Sequence, residues 1–322
     1  RPPGRERRPV PDAAPVGAVE RALVAERPRL VGLAYRITGS RVDAEDIVQE
    51  AWERAGRVDE ATIDSPSAWL TTVVSRLALD HLRAAKRRRE TYVGPWLPEP
   101  IVTAGRSAGW AAGAGAGAVG RDPSELVEMA ESLTFGFLRV LEALSPVERV
   151  VFVMADVFGV PFPEIAAAVD RSPDACRQVA SRARRRVRDE HRRSAPVDDA
   201  RAVVDDLLAA FVAGDTARVL DLLAPDVVLV SDGGAEVHAA RRPVVGPDRV
   251  ARLVANLLKR GVDLGYTFEP TELNGAVGVL ARIDDEPGYV AALTVVDGRV
   301  RRIYTVSNPD KLAALRLTGP VA

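Results

Sequence analysis

The stretch from Phe162 to Arg188 constrains this 322-residue chain most tightly. Ser172-Pro173 is a strong helix start: Ser172 can cap, and Pro173 fits the first turn, where its missing N–H costs nothing. From there Cys176, Val179, Ala180, Ala183 and Val187 recur at helical spacing as one apolar stripe. Asp174, Arg177, Gln178, Ser181, Arg182 and Arg185 fall on the opposite face. Upstream, Pro163–Val169 predicts a short helix of small residues, and Asp170-Arg171 is the turn. A unit of this kind lays its second helix in the major groove of DNA, where Arg can bond guanine and Gln adenine, each bidentately. Between Arg171 and Arg193 there are nine Arg against three Asp/Glu, lopsided for a merely solvated face.

The net charge of −1 hides a segregation. Basic residues exceed acidic ones by three before Asp198, and acidic exceed basic by four from Asp198 onward. The basic groups cluster at Arg83–Arg89 and Arg171–Arg193, an electrostatic footprint for nucleic acid. The single cysteine, Cys176, cannot form an internal disulfide, and with three histidines no metal site is expected. No run of 18 apolar residues suggests a membrane span, and Arg1–Pro15 has no apolar core of a secretory signal. A cytoplasmic location is the expectation.

Five segments follow. Residues 1–18 read as a disordered arm. Residues 19–90 read as helical: Ser40 and Asp43 start a helix in capping-box style, with Ala44, Ile47, Val48, Ala51 and Ala55 inside and Asp43, Asp46, Glu50 and Glu53 outside. Trp52, Trp69 and His81 are read as helix-face or core residues. Ser65-Pro66 opens another helix, ending in the basic run. Residues 91–124 form a linker: Gly94–Pro100 is too proline-rich for a helix, and the Ala-Gly tract from Ala111 to Gly120 reads as flexible. Residues 125–193 are the helix-turn-helix unit, in which Ser145-Pro146 opens a helix. Residues 198–319 predict an α+β domain. Its helices are Val203–Ala213, Ala217–Leu223 and Asp248–Arg260. Its strands are Val227–Ser231, Val237–Val244, Leu264–Glu272, Val277–Ile283, Tyr289–Val295 and Val300–Thr305.

Several runs then resemble the extracytoplasmic-function sigma factors, sigma-70-type subunits of bacterial transcription initiation. They are Leu33–Gly39, Asp43–Glu50, Ala68-Trp69-Leu70, Leu79–Arg83, Leu144–Arg149 and Cys176–Arg184. A subgroup with a fused SnoaL-like, cone-shaped domain is matched by Trp96–Pro100, Ser231–Gly234 and Asn308–Leu312. Where that subgroup continues with Gly and Lys, this chain has Ala235 and Glu236; Arg76 stands where the family often has Asn.

The resemblance implies a multidomain protein, with two all-α sigma domains and an α+β SnoaL-like extension. It implies that the chain binds core RNA polymerase and promoter DNA. Residues 19–90 would dock polymerase through Asp43, Asp46, Gln49, Glu50 and Glu53. Arg76, Arg83, Lys86, Arg87 and Arg88 would lie along the −10 DNA, chiefly on its phosphates, and the loop 56–64 would hold a flipped base. Residues 125–193 would read the −35 element through the face already named. Trp96, Leu97, Pro98, Asp232, Gly233, Gly234, Asn308, Pro309 and Asp310 would make an intramolecular contact between extension and sigma domains. No cofactor is expected.

Two function classes stay open for the extension. One is regulation in cis, with room for a small-molecule ligand in a pocket of Leu253, Leu257, Phe268, Val279 and Leu293. The other is catalysis, for which His238 and Asp232 are the tempting acid/base pair. A further alternative is a helix-turn-helix regulator acting without polymerase, which leaves 19–90 unexplained.

Overall fold

The computed structural model describes residues 17–89, 92–103, 134–190 and 197–316. The arm, the Ala-Gly tract and most of the rest of the linker lie outside the described residues.

Three helices open the chain: α1 (Ala18–Thr38), α2 (Arg41–Ala55) and α3 (Pro66–Arg89). Ser40 caps α2, its Oγ accepting from the Asp43 amide at 3.0 Å. The reciprocal arm of a capping box does not come from Asp43, because the Ser40 amide donates to Thr38 Oγ1 instead. Ala44, Ile47, Val48, Ala51 and Ala55 are buried, as their period requires. Trp52 corrects the expectation of core: it is 37% exposed, on the solvent side of α2 beside the acidic residues.

A second helical set comprises α4 (Phe135–Leu141), α5 (Pro146–Phe152), α6 (Phe162–Val169) and α7 (Pro173–Glu190). Ser145 and Glu148 form a full capping box at the start of α5. A π-helical turn, Val153–Val157, continues α5. Both helical sets contribute to one continuous apolar core, which runs from Val19 to Val187.

The last part is α8 (Val197–Ala213), α9 (Thr216–Leu222), β1 (Leu223–Asp232), β2 (Val244–Val245), α10 (Pro247–Asp263), β3 (Thr267–Leu273), β4 (Ala276–Ile283), β5 (Glu286–Val296), β6 (Arg299–Val306) and α11 (Pro309–Arg316). The sheet order is β2-β1-β6-β5-β4-β3, with β1–β6 parallel and the other pairs antiparallel. Its three hairpins turn at Asn274-Gly275, Asp284-Asp285 and Asp297-Gly298, all with positive φ, the conformation a two-residue hairpin loop demands. The expected strand Val237–Val244 is absent. That segment is irregular loop, exposed or half-buried, after a turn at 234–236, and only Val244 joins β2.

Successive side chains along a strand face opposite ways, and here both faces are apolar. Leu229, Leu293, Val295 and Ile303 pack under α8, α9 and α10. Val230, Leu280, Val290, Ala292, Tyr304 and Val306 point the other way. That second face is covered by Leu312 and Leu315 of α11, by Leu97 of the linker and by Phe135 of α4, whose ring stacks on Tyr304 at 6.1 Å. Part of this core is therefore supplied by residues outside the sheet's own segment.

Candidate nucleic-acid interface and interdomain junction

Asp170, left-handed at φ 55°, ends α6. The Ser172 Oγ then accepts from the Ala175 amide at 3.2 Å and starts α7. The helix-turn-helix read from the sequence is present, with Cys176, Val179, Ala180, Ala183 and Val187 all buried. Asp174, Arg177, Gln178, Ser181, Arg182 and Arg185 are all exposed on one side. Arg184 and Arg186 serve packing instead: they pair with Asp156 at 2.5 Å and with Glu148 at 2.9 Å. Arg177 pairs with Asp174 at 2.6 Å, a fully solvated contact of small energetic worth.

On α2, Asp46, Gln49 and Glu53 are exposed while Asp43 and Glu50 are half-buried. Glu50 pairs with Arg54 and Glu53 with Arg57. On α3, Arg83 is exposed beside Asp80 at 3.2 Å. Lys86, Arg87 and Arg88 lie in the last turns of α3, and their side chains lie outside the described residues. Arg76 is occupied: its guanidinium donates to the Ala167 carbonyl of α6 at 2.7 Å, across the two helical sets.

The junction is densest around Asp232, which is fully buried at the end of β1. Its carboxylate accepts from the Tyr92 hydroxyl at 2.5 Å, the Leu97 amide at 2.8 Å, the Gly234 amide at 3.1 Å and the Lys311 ammonium at 2.6 Å. Lys311 also donates to the Leu97 carbonyl and stands 4.2 Å from the Trp96 ring centroid. Asn308 donates to the Tyr92 hydroxyl at 2.8 Å. Burial, then the Asp232 hydrogen bond, pushes the Tyr92 hydroxyl up. Of the residues expected here, Trp96, Leu97, Asp232, Gly234 and Asn308 meet. Gly233 and Gly234 are buried behind Asp232, Pro309 and Asp310 begin α11, and Pro98 is buried in the linker. Tyr92 and Lys311 were missed as site residues, although Lys311 sits inside the matched run; nothing local marks a lysine as destined for burial.

The Asp232–His238 pair does not form. All four Asp232 partners lie elsewhere, and His238 is exposed in the loop after the turn. The expected pocket is partly corrected. An apolar hollow of about 60 Å³ between α8, α10 and the sheet is lined by Leu257, Val279 and Leu293, with Phe211 and Tyr289, but not by Leu253 or Phe268.

Glu99 carries the linker to the first helical set. Its Oε2 accepts from the amides of Arg41 and Val42 at 2.7 and 3.3 Å, at the N-terminus of α2, where a carboxylate is favoured by the helix dipole. Its amide donates to the Gly39 carbonyl at 2.9 Å. Burial nevertheless pushes its carboxyl up. Residues 101–103 add to the sheet edge: Val102 bridges Leu273, and the Thr103 amide donates to the Glu272 carbonyl at 2.9 Å.

A three-helix unit joined to a helix-turn-helix unit with an open arginine face is the two-module architecture of sigma-70-type factors. Residues 23–88 match the model of Sigma-70 region 2 and residues 135–187 that of Sigma-70, region 4. The ECF RNA polymerase sigma factor SigJ of Mycobacterium tuberculosis is 43% identical over 89% of this chain and 91% of its own length. The probable ECF RNA polymerase sigma factor SigI of the same species is 34% identical over 94% of this chain and 96% of its own length. The crystal structure of SigJ superposes with a TM-score of 0.68 at 39% identity, covering 92% of this chain and 98% of that one. The chain therefore belongs to the ECF RNA polymerase sigma factors, and it directs promoter-specific transcription initiation.

Proposed function

We propose that this sigma factor is regulated in cis by its C-terminal extension, with the sigma modules at 19–90 and 125–193, the linker at 91–124 and the extension at 198–319. The observation that carries the reading is the buried Asp232 carboxylate, which binds the linker at Tyr92 and Leu97 while Lys311 grips the same strip. Sigma factors bind core RNA polymerase and promoter DNA. In this reading α2 docks polymerase through Asp46, Gln49 and Glu53, with Asp43 and Glu50 at the margin. The α7 face reads the −35 element, and Arg83 and the basic end of α3 hold phosphates near −10.

The −10 and −35 labels differ by about 25 base pairs, or roughly 85 Å of B-form helix. The two modules share one continuous apolar core, bridged also by the hydrogen bond from Arg76 to Ala167, and that supports a closed arrangement which must open before both elements are read. The extension, acting in the cytoplasm without catalysis, sets how readily this happens.

The test is transcription from a defined promoter by core polymerase with the parent chain, Asp232→Ala or Lys311→Ala. The expected result is a changed yield at matched holoenzyme concentration. Equal yields from all three chains would remove regulation by this contact.

A further inference from the structure

The C-terminal turn of α1 is touched by the linker, the second helical set and the extension. From the extension, the tip of the β3–β4 hairpin reaches in: Asn274, fully buried, donates from Nδ2 to the Tyr35 hydroxyl at 2.6 Å. Its other two polar groups are taken by the linker, Oδ1 accepting from the Ile101 amide at 2.9 Å and its own amide donating to the Ile101 carbonyl at 2.8 Å. Tyr35, also fully buried, donates a hydrogen bond from its hydroxyl to the Glu99 backbone carbonyl at 2.7 Å. From the helix-turn-helix set, the Arg149 guanidinium donates through Nε and Nη2 to the Arg36 carbonyl, at 3.3 and 3.2 Å, and pairs with Glu142. The Arg36 side chain lies 5.4 Å from the ring of Phe158, just beyond the π-helical turn. Two adjacent residues thus receive opposite partners, Tyr35 the extension and Arg36 the second sigma module.

We infer that Tyr35 is a positioning residue through which the extension sets the grip of the second sigma module. A guanidinium that forks onto a single carbonyl and a carboxylate needs that carbonyl held within a few tenths of an ångström. The carbonyl of Arg36 belongs to the last turn of a helix, where backbone groups fray unless something outside the helix holds them. Asn274 and Glu99, clasping the Tyr35 hydroxyl between them, supply that hold one residue away. Loss of the Asn274 contact frees the turn and weakens the Arg149 fork. This deepens the cis-regulatory reading by naming the route along which the extension acts.

The test uses the full-length chain with Cys176→Ala, labelled for single-molecule energy transfer at Val42→Cys on α2 and Ser181→Cys on α7, both exposed positions. The open-to-closed ratio is measured for Asn274→Gly, which keeps the positive φ, for Arg149→Lys, and for the two together. Each single change raises the ratio. The double change falls short of the product of the two by about threefold or more. Tyr35→Phe, which deletes the same hydroxyl from the other side, matches Asn274→Gly, and adding it to Asn274→Gly changes little. A double ratio equal to the product of the singles would overturn the inference, as would a Tyr35→Phe ratio equal to the parent's. If Arg149→Lys does not fold by circular dichroism, hydrogen exchange at the Gly39 amide, bonded to the Tyr35 carbonyl, decides instead: faster exchange in Asn274→Gly supports the coupling and unchanged exchange overturns it. These readouts do not depend on transcription, so altered yield in the Asp232 variants with multiplicative ratios here would sink the coupling alone. Unaltered yield with coupled ratios would sink the regulatory reading alone.

Discussion

Gly39 lies directly under the Trp96 indole: a Cβ on Gly39 would come within 2.6 Å of the ring's Cη2. Gly39 also ends α1 with φ 74°, its amide bonded to the Tyr35 carbonyl at 2.6 Å. One residue therefore stops a helix and seats the linker's aromatic anchor. Two separate demands, the left-handed conformation and the close approach, exclude a side chain.

Gly39→Ala is accordingly expected to destabilise the chain by about 2 kcal/mol or more, the strain of a left-handed alanine adding to displacement of the indole. Thermal unfolding of the full chain checks the magnitude. An unchanged melting temperature would refute both the backbone strain and the clash with Trp96.

Lys311 and Asp232 form an ion pair with side chains 8% and 0% exposed. Lys311→Met leaves the carboxylate facing only neutral donors and is expected to cost about 3–5 kcal/mol, as removal of one partner from a buried pair does. The double change Lys311→Met with Asp232→Asn should recover part of that loss. Urea unfolding of the three variants separates the two outcomes, and a double variant weaker than the sum of the singles would refute the assignment of cost to the stranded charge.

The Glu99 carboxyl is pushed up by burial, so the folded chain holds this proton more readily than the unfolded chain does. This group's contribution to stability therefore falls as pH rises from the ordinary carboxylate range through its higher folded value. Glu99→Gln removes that slope. The stability of the variant relative to the parent should therefore increase between about pH 4 and pH 7, and unfolding curves across that interval test it. A difference that stays flat would mean the Arg41 and Val42 amides fully offset the burial.

Gln178 and Arg182 are exposed on α7 and offer the base-reading chemistry of their types. Alanine at either position is expected to cost the holoenzyme about 1–3 kcal/mol on its best promoter and to relax preference at one −35 base pair. Binding measured on a panel of single-base changes at fixed salt gives the answer. Uniform weakening across the panel would reassign that side chain to phosphate contact.

The helical modules were legible because their signals are local. The Ser172-Pro173 start, the stripe from Cys176 to Val187 and the Ser145-Pro146 start each lie within a few turns. The strand Val237–Val244 misled because alternation gives a strand only where a neighbour pairs with it, and of this segment only Val244 pairs, with Leu229 in the middle of β1. Trp52 misled because its residue type favours burial while its position, beside the stripe of Ala44, Ile47, Val48, Ala51 and Ala55, leaves it on the solvent edge.

By itself the sequence determined the two helix-turn modules, the arginine face and the α+β character of the extension, since caps, periodicity and turn residues act over one to four residues. The tertiary structure decided the junction. Tyr35 meets Asn274 across 239 positions and Asp232 meets Leu97 across 135. Burying a hydroxyl, an amide and an ion pair is tolerable only where distant segments bring matching partners to one place, and no local pattern encodes that convergence.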